Sequence, residues 1–324
     1  MPKLRQNIVT GEWVVIAPER AKRPEDFVMA SSPKRPLDDK CPFCLSNIDS
    51  AYQFSIKDAE TQNIYVIPNK FPAFSKADGL IQEGGDLYCS TKSLGGHEVI
   101  ILKDHQKEIF DGGAEMLMEL FGVYQKRILY YNQDPTIEYS MPIHNFGPEA
   151  GASIEHPHSQ FFASSIMPNL ISKEITGAKA FYEDKHQCVF CAMIEEEKRQ
   201  GVRVVAENDD FIAFTFFASR FPFETWVLPK KHMPTYETID KGILENLAKI
   251  VYDVMSKLNN AIKSPPFNWW IHTGPTKKDH LDDFYHWHME IAPRVSKFGG
   301  YEMGSGIVID VVSPELAAQF LKKA

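Results

Sequence analysis

The sequence predicts an α+β protein made of a duplicated unit, each copy an antiparallel sheet with a helix packed on it. Two observations carry this. Landmarks recur in one order in both halves: Cys41, Cys44, His105, His156 and His158 answer to Cys188, Cys191, His232, His286 and His288. Phe71-Pro72 likewise matches Phe221-Pro222, and Ile143-His144 matches Ile271-His272. In each half, short apolar runs of strand character also flank one segment of helical periodicity. The expected modules are residues 1–170 and 171–324, their sheets joined across a pseudo-twofold.

With 324 residues, 44% hydrophobic and 24% charged, the chain can bury a large core in one big domain or two medium ones. No run approaches the roughly 20 apolar residues of a membrane helix, and the first residues lack an apolar export core, so a cytoplasmic location is expected. The net charge of −8 argues against nucleic acid as a partner. An anionic ligand then needs a local basic cluster. Of the five cysteines, four form two C-x-x-C pairs, which in a reducing compartment read as metal ligands or redox thiols and not as disulfides. Cys89 reads as a packed thiol.

In chain order, Ile8 to Ile16 is expected to form a hairpin turning at Thr10-Gly11. Arg20, Lys22 and Arg23 follow, either solvated surface or an anion clamp. A Pro-rich loop delivers the chain to Cys41. A strand from Asn63 to Ile67 leads into Asn69-Lys-Phe71 and a Gly-rich excursion from Ala77 to Gly96. The strand Glu98 to Leu102 ends at His105. Leu117, Leu120, Phe121, Tyr124 and Ile128 have the spacing of a core-facing helix. A strand ending at Asn145 and a small-residue loop then bring the chain to His156-Pro-His158-Ser-Gln160. In the second half, strands from Val202 to Ala206, Phe211 to Thr215 and Thr225 to Leu228 precede a helix carrying Leu247, Val251, Val254, Leu258 and Ile262. Strands Phe267 to Ile271 and Tyr285 to Ile291 follow.

Each half thus offers two cysteines and two histidines, the set that zinc takes tetrahedrally in closed structural sites. A lone C-x-x-C would admit thioredoxin-like redox chemistry, but its duplication with histidines favours metal. The expected ligands are Cys41, Cys44, His105 and His156 in one site and Cys188, Cys191, His232 and His286 in the other. Zinc is expected in both, although the second could hold iron. A bare His-x-His pair is usually two surface imidazoles. Here residues i and i+2 of a strand share a face, so spending His156 on a metal leaves His158 rigidly mounted beside it, a candidate nucleophile. Pro157 between them implies an edge or a bend.

The chain resembles the galactose-1-phosphate uridylyltransferase family, the double-module branch of the histidine-triad proteins. The resemblance rests on Gly11-Glu-Trp-Val-Val-Ile16, Arg20-Ala-Lys-Arg23-Pro24, Cys41-Pro-Phe-Cys44, Asn69-Lys-Phe71, Asp104-His105, Asn145, His156-Pro-His158-Ser-Gln160 and Lys297-Phe298-Gly-Gly-Tyr301-Glu302-Met303. It implies a histidine-triad-like fold and ping-pong nucleotidyl transfer. His158 would attack the α-phosphorus of UDP-glucose and carry UMP to a hexose 1-phosphate, galactose 1-phosphate in that family. It further implies phosphate contacts from Gln160, Asn145, Ser153 and Ser159, and nucleoside contacts from Asn69 and Phe71, for which a strand-end turn with a core aromatic is the rival. Arg20 and Arg23 would reach the phosphates, and Lys297, Phe298, Tyr301 and Glu302 the hexose, from the second subunit of a homodimer with shared active sites. Ser159, following the nucleophile, leans toward the ADP-glucose phosphorylase-like branch, which would use phosphate as acceptor. Val308 stands where the galactose enzymes have glutamine, which leaves the hexose open. A non-catalytic, zinc-organised nucleotide-binding protein is the third possibility. The second half carries Met289 and Glu290 after His288, and a carboxylate there would repel phosphate, so it reads as a structural copy.

Overall fold

The structure, a computed structural model, describes residues 1–20, 40–44, 46–47, 56–76, 82–84, 87–276 and 281–324. Arg23 and the segment 277–280 lie outside them. The chain opens with β1 (Lys3–Gln6) and β2 (Trp13–Ile16). The hairpin therefore begins five residues earlier than expected and turns through Asn7 to Glu12. Its cause is local: the Asn7 carboxamide oxygen accepts from the Val9 and Thr10 N–H groups, and Gly11 takes φ +74°, so Ile8 cannot continue a strand.

The first half then supplies β3 (Ile64–Pro68), β4 (Gln82–Gly84), β5 (Cys89–Thr91), β6 (Gly95–Leu102), α1 (Gly113–Tyr131), β7 (Tyr139–Phe146) and β8 (His158–Ser164). The second adds α2 (Asn169–Lys185), α3 (Val189–Gln200), β9 (Val204–Glu207), β10 (Phe211–Thr215), β11 (Thr225–Pro229), α4 (Lys241–Ile262), β12 (Phe267–His272), β13 (His288–Pro293), α5 (Gly300–Ser305), β14 (Val308–Asp310) and α6 (Pro314–Lys322). Three expectations are corrected. Gly95 and Gly96 begin a strand and do not end a loop. Cys89 is exposed, because β4 and β5 form a separate two-stranded ribbon. Four helices, α2, α3, α5 and α6, were not anticipated.

Among the described residues, nine strands form one antiparallel sheet in the order β3-β6-β8-β7-β12-β13-β11-β10-β9. The halves join where β7 pairs with β12, Phe146 opposite Phe267 and Ile143 opposite Trp270. On one face lie α1 and α4, which pack against each other. Their stripes bury Leu117, Leu120, Phe121, Tyr124 and Ile128 from the first and Leu247, Val251, Val254, Leu258 and Ile262 from the second. Asp240 caps α4 by accepting from the Ile243 N–H at 3.0 Å.

The other face is covered at both ends and more open between. In the second half α2, α3 and β2 bury Phe190, Phe214, Phe216 and Trp226. In the first half the loop carrying Cys41 and Cys44 lays Phe43 over Tyr65, Ile67, Val99 and Ile101. Strand alternation puts His97, His158, Gln160, Asn145 and Asn268 on this same face, through the pairings Val99 with Gln160, Ile101 with His158, Ile143 with Gln160 and Asn268 with Asn145. The candidate site lies there.

Candidate active site

His158 is the first residue of β8, immediately after Pro157. The Pro157 carbonyl accepts from the Leu102 N–H at 3.1 Å, so the proline sits at a bend where the ladder needs no donor from it. The imidazole of His158 places Nδ1 2.8 Å from the His156 carbonyl oxygen. A carbonyl can only accept, so Nδ1 carries the proton and the neutral ring keeps its lone pair on Nε2. Phe43 braces this ring edge-on at a centroid distance of 5.0 Å and also contacts the His156 ring at 6.1 Å. The side chain is 8% exposed. It is a held, slightly accessible imidazole.

His156 is held in the opposite tautomer. Its Nε2 lies 2.6 Å from the Leu102 carbonyl, so Nε2 donates and Nδ1 bears the lone pair. That Nδ1 is 3.0 Å from His105 Nδ1 and 3.5 Å from Cys41 Sγ, while Cys44 Sγ is 3.3 Å from His105 Nδ1. Four electron-pair donors thus converge within 4.8 Å of one another. Such a crowd of lone pairs fits a cation at its centre, with the Leu102 carbonyl as the outer partner that orients a ligating imidazole. Cys188, Cys191, His232 and His286 repeat the arrangement. His232 Nε2 lies 2.6 Å from the Asp282 carbonyl, turning Nδ1 toward Cys191 at 3.4 Å. Cys188 caps the N-terminus of α3 and Cys191 sits in its first turn, so here the pair lies at the start of a helix and not in a turn. Both groups can hold a metal.

Gln160 lies two residues beyond His158 on the same face. Its Oε1 is 2.7 Å from His97 Nε2. Asn145 accepts through Oδ1 from Asn268 Nδ2 at 2.7 Å. The orientation of Asn268 follows from its other contacts, since its Nδ2 also donates to the Ala150 carbonyl and its Oδ1 accepts from Arg294. Both site amides are therefore tied through their oxygens and present N–H groups. Asn69 accepts through Oδ1 from the Phe71 N–H at 2.9 Å. Phe71 is 83% exposed, which removes the core-aromatic alternative. A cavity of about 350 Å³ lined by Asn69, Phe74, Lys76, His97 and Tyr130 adjoins the site at Asn69 and His97.

Ser159 does not join them. Its side chain crosses to the α1 face, where Oγ accepts from Tyr124 Oη at 2.6 Å and lies 2.9 Å from His144 Nδ1. The period of two along a strand forbids it the face that His158 and Gln160 share. Ser153 is exposed in the loop before His156, and Arg20 is exposed at the end of a short 3-10 turn. Phe298 stacks on Phe221 at 5.2 Å, and Tyr301 and Glu302 lie on α5, where Glu302 accepts from the Gly299 N–H at 2.9 Å. Among the described residues, no hydrogen bond or ion pair links Arg20, Lys297, Phe298, Tyr301 or Glu302 to His158 or Gln160 within one chain.

Family models for the N-terminal and C-terminal domains of galactose-1-phosphate uridyl transferase match residues 1–168 and 174–322. The chain belongs to the galactose-1-phosphate uridyl transferase family. It is 31% identical over 333 residues to the ADP-glucose phosphorylase of Arabidopsis thaliana, covering 99% of this chain and 93% of that protein. To the galactose-1-phosphate uridylyltransferase of Thermotoga maritima it is 26% identical, covering 100% of this chain and 98% of that protein. The crystal structure of an Arabidopsis thaliana ADP-glucose phosphorylase with bound ADP-glucose matches at a TM-score of 0.83 and 28% identity, covering 100% of this chain and 99% of that one.

Within this transferase family member, the second His-x-His pair is sealed. His288 stacks on Trp226 at 4.7 Å, lies 5.0 Å from the Phe190 ring and is fully buried. Glu290, Glu174 and His272 close around it as a third group with donors within 4.8 Å, which reading the sequence missed. Arg220 already supplies a cation there, pairing with Glu290 and, at 3.1 Å, with Glu224. Burial opposes ionisation of Glu290, but Arg220 outweighs it and holds the carboxyl down at about 2. Only a tertiary contact reveals this group, because Glu174 and Arg220 lie far from both histidines in sequence.

Proposed function

We propose that the chain is a nucleotidylyltransferase that moves UMP from UDP-glucose to a hexose 1-phosphate, galactose 1-phosphate in the first instance, through a covalent intermediate on His158. The observation that carries this is the 2.8 Å contact of His158 Nδ1 with the His156 carbonyl. It leaves Nε2 nucleophilic and stabilises the positive charge the ring gains on attack. In the first half-reaction the Nε2–phosphorus bond forms and the bond from the α-phosphorus to the bridging oxygen breaks. Glucose 1-phosphate leaves with those electrons, so no general acid is needed. In the second, a phosphate oxygen of the acceptor attacks phosphorus and the imidazole departs neutral. Gln160 and Asn145 donate N–H groups to the phosphoryl oxygens without adding negative charge, and Ser153 adds a hydroxyl from the loop. Asn69 and Phe71 contact the nucleoside.

The closed Cys₂His₂ donor sets suit zinc, whose contribution is structural because four protein ligands leave no position for water. Residues 1–170 form the catalytic module and 171–324 a structural copy. In a homodimer, Arg20 and Arg23 would reach the phosphates, and Lys297, Phe298, Tyr301 and Glu302 the hexose, of the other subunit's site. The exposure of Arg20, Lys297, Phe298 and Tyr301 supports that assignment.

A second reading is phosphorolysis of ADP-glucose through the same intermediate. The 31% identity to an ADP-glucose phosphorylase favours it. Val308, buried in β14 where the galactose enzymes carry glutamine, leaves the acceptor of the first reading open. The test is incubation with UDP-glucose and ADP-glucose labelled in the α-phosphate. Acid-labile, base-stable label from UDP-glucose supports the first reading, and label from ADP-glucose alone the second. No label from either overturns both.

A further inference from the structure

We infer that His97 is a positioning residue that fixes the amide of Gln160 with its NH₂ toward the phosphate and ties that amide to the nucleoside loop. The inference rests on the proposed nucleotidyl transfer through His158. Neither composition nor motif singled out this histidine, and three contacts determine its state. The Ala73 N–H points at Nδ1 at 3.1 Å. A backbone N–H only donates, so Nδ1 accepts and the proton of the neutral ring resides on Nε2. That Nε2–H faces two amides, Gln160 Oε1 at 2.7 Å and Asn69 Nδ2 at the longer 3.2 Å; an amide NH₂ cannot accept, so the proton goes to Gln160 and the atom receiving it must be the carboxamide oxygen. Gln160 therefore cannot flip without opposing two donors, and its Nε2 amino group is left for the ligand.

The ring itself is held. Phe162 stacks on it at 4.1 Å and 24°, and burial pushes its pKa below the ordinary histidine value, keeping it neutral. Asn69 and Ala73 bracket the loop that carries Phe71. The Asn69 N–H donates to the His97 carbonyl at 2.8 Å while the Ala73 N–H donates to the His97 ring. Backbone and imidazole of one residue thus fasten both ends of the proposed nucleoside loop. The imidazole also sets the proposed phosphate donor. A phosphate with oxygens only acceptor in character needs N–H from Gln160, and a flipped amide would present a carbonyl to it.

A double-mutant cycle on the single-turnover transfer of label to His158 tests this. Gln160→Ala is expected to slow transfer by about 100-fold or more, the usual loss for one donor to a developing oxyanion. His97→Ala should slow it by roughly 10-fold or more, mainly at saturating nucleotide sugar. At saturating nucleotide sugar, where a loosened nucleoside loop no longer limits the rate, the double variant should be no more than about 2-fold slower than Gln160→Ala, because His97 acts on the transfer step through Gln160. His97→Gln, which keeps a donor near the Nε2 position, should recover most of the loss. Multiplying effects, or no rescue, would overturn the inference. Absence of label on the unaltered protein would instead sink the transferase reading. In that event ¹⁵N spectra of the resting protein decide about His97 alone: protonated Nε2 with bare Nδ1, and Gln160 amide protons shifted by His97→Ala, uphold the positioning, and a protonated Nδ1 refutes it.

Discussion

His156 and His158 are joined through the backbone: the Nδ1–H of His158 donates to the carbonyl oxygen of His156 at 2.8 Å, while the His156 ring turns its own Nδ1 toward Cys41, Cys44 and His105. The orientation of one imidazole thus depends on the anchoring of the other. His158→Ala is expected to abolish covalent labelling and leave metal content unchanged. His156→Ala should lose the metal of the first site and labelling together. Metal analysis beside radiolabel counting separates them, and loss of metal from the His158 variant would show the two roles to be exchanged.

Withdrawing the metal should loosen the corner before it affects the rest of the sheet. Cys41, Cys44, His105 and His156 come from a loop, a turn after β6 and the bend before β8, and the donor set is what ties them together. Chelator treatment is expected to lower the unfolding temperature and to cut label transfer by at least about 10-fold, with zinc restoring both. Unchanged transfer in metal-free protein would count against a structural role for this site.

Ser159 faces the helix, so Ser159→Ala should be a stability variant. It takes the hydroxyl acceptor from Tyr124 Oη and the hydroxyl contact from His144 Nδ1, a loss of about 1–3 kcal/mol. Label transfer should stay within about 3-fold of the unaltered protein once both are folded. Urea denaturation and single-turnover labelling check the two halves of this expectation.

Asp310 on β14 predicts a pH dependence. Burial raises its carboxyl to about 7, against the hydrogen bonds it accepts from Ser219 and the Val312 N–H. Its unfolded value is about 4, so between these limits the folded state keeps a proton that the unfolded chain releases. The stability this group contributes is full below about pH 4 and is lost as pH rises through about 7. Asp310→Asn removes the titration, so its stability relative to the unaltered protein should improve from pH 4 to pH 8, by up to about 4 kcal/mol. Urea midpoints at several pH values measure this, and a constant difference would refute it.

Much of the site was legible from spacing. The C-x-x-C pairs with their histidines announced two metal-capable corners, and the stripes of α1 and α4 announced helices on a sheet. Strand periodicity alone could have excluded Ser159, since it alternates with His158 and Gln160. Helix α3 was obscured because Cys188 and Cys191 read only as metal ligands. His97 was hidden for a different reason: an isolated histidine in Gly95-Gly-His-Glu98 acquires meaning only when Gln160, Ala73 and Phe162 surround it.

Local chemistry and periodicity, which act over a few residues, determined from the sequence alone which side chains could bind metal, which segments are amphipathic and that the unit occurs twice. Glu290 already marked the second His-x-His pair as a structural copy, but the tertiary structure alone decided how far each pair is closed off. His158 retains an accessible edge beside His97, Gln160 and Asn145, while His288 is shut in by Trp226, Phe190 and Glu290. The physical reason is that exposure and tautomer are set by groups brought from distant parts of the chain, and no spacing rule encodes which carbonyl an imidazole will meet.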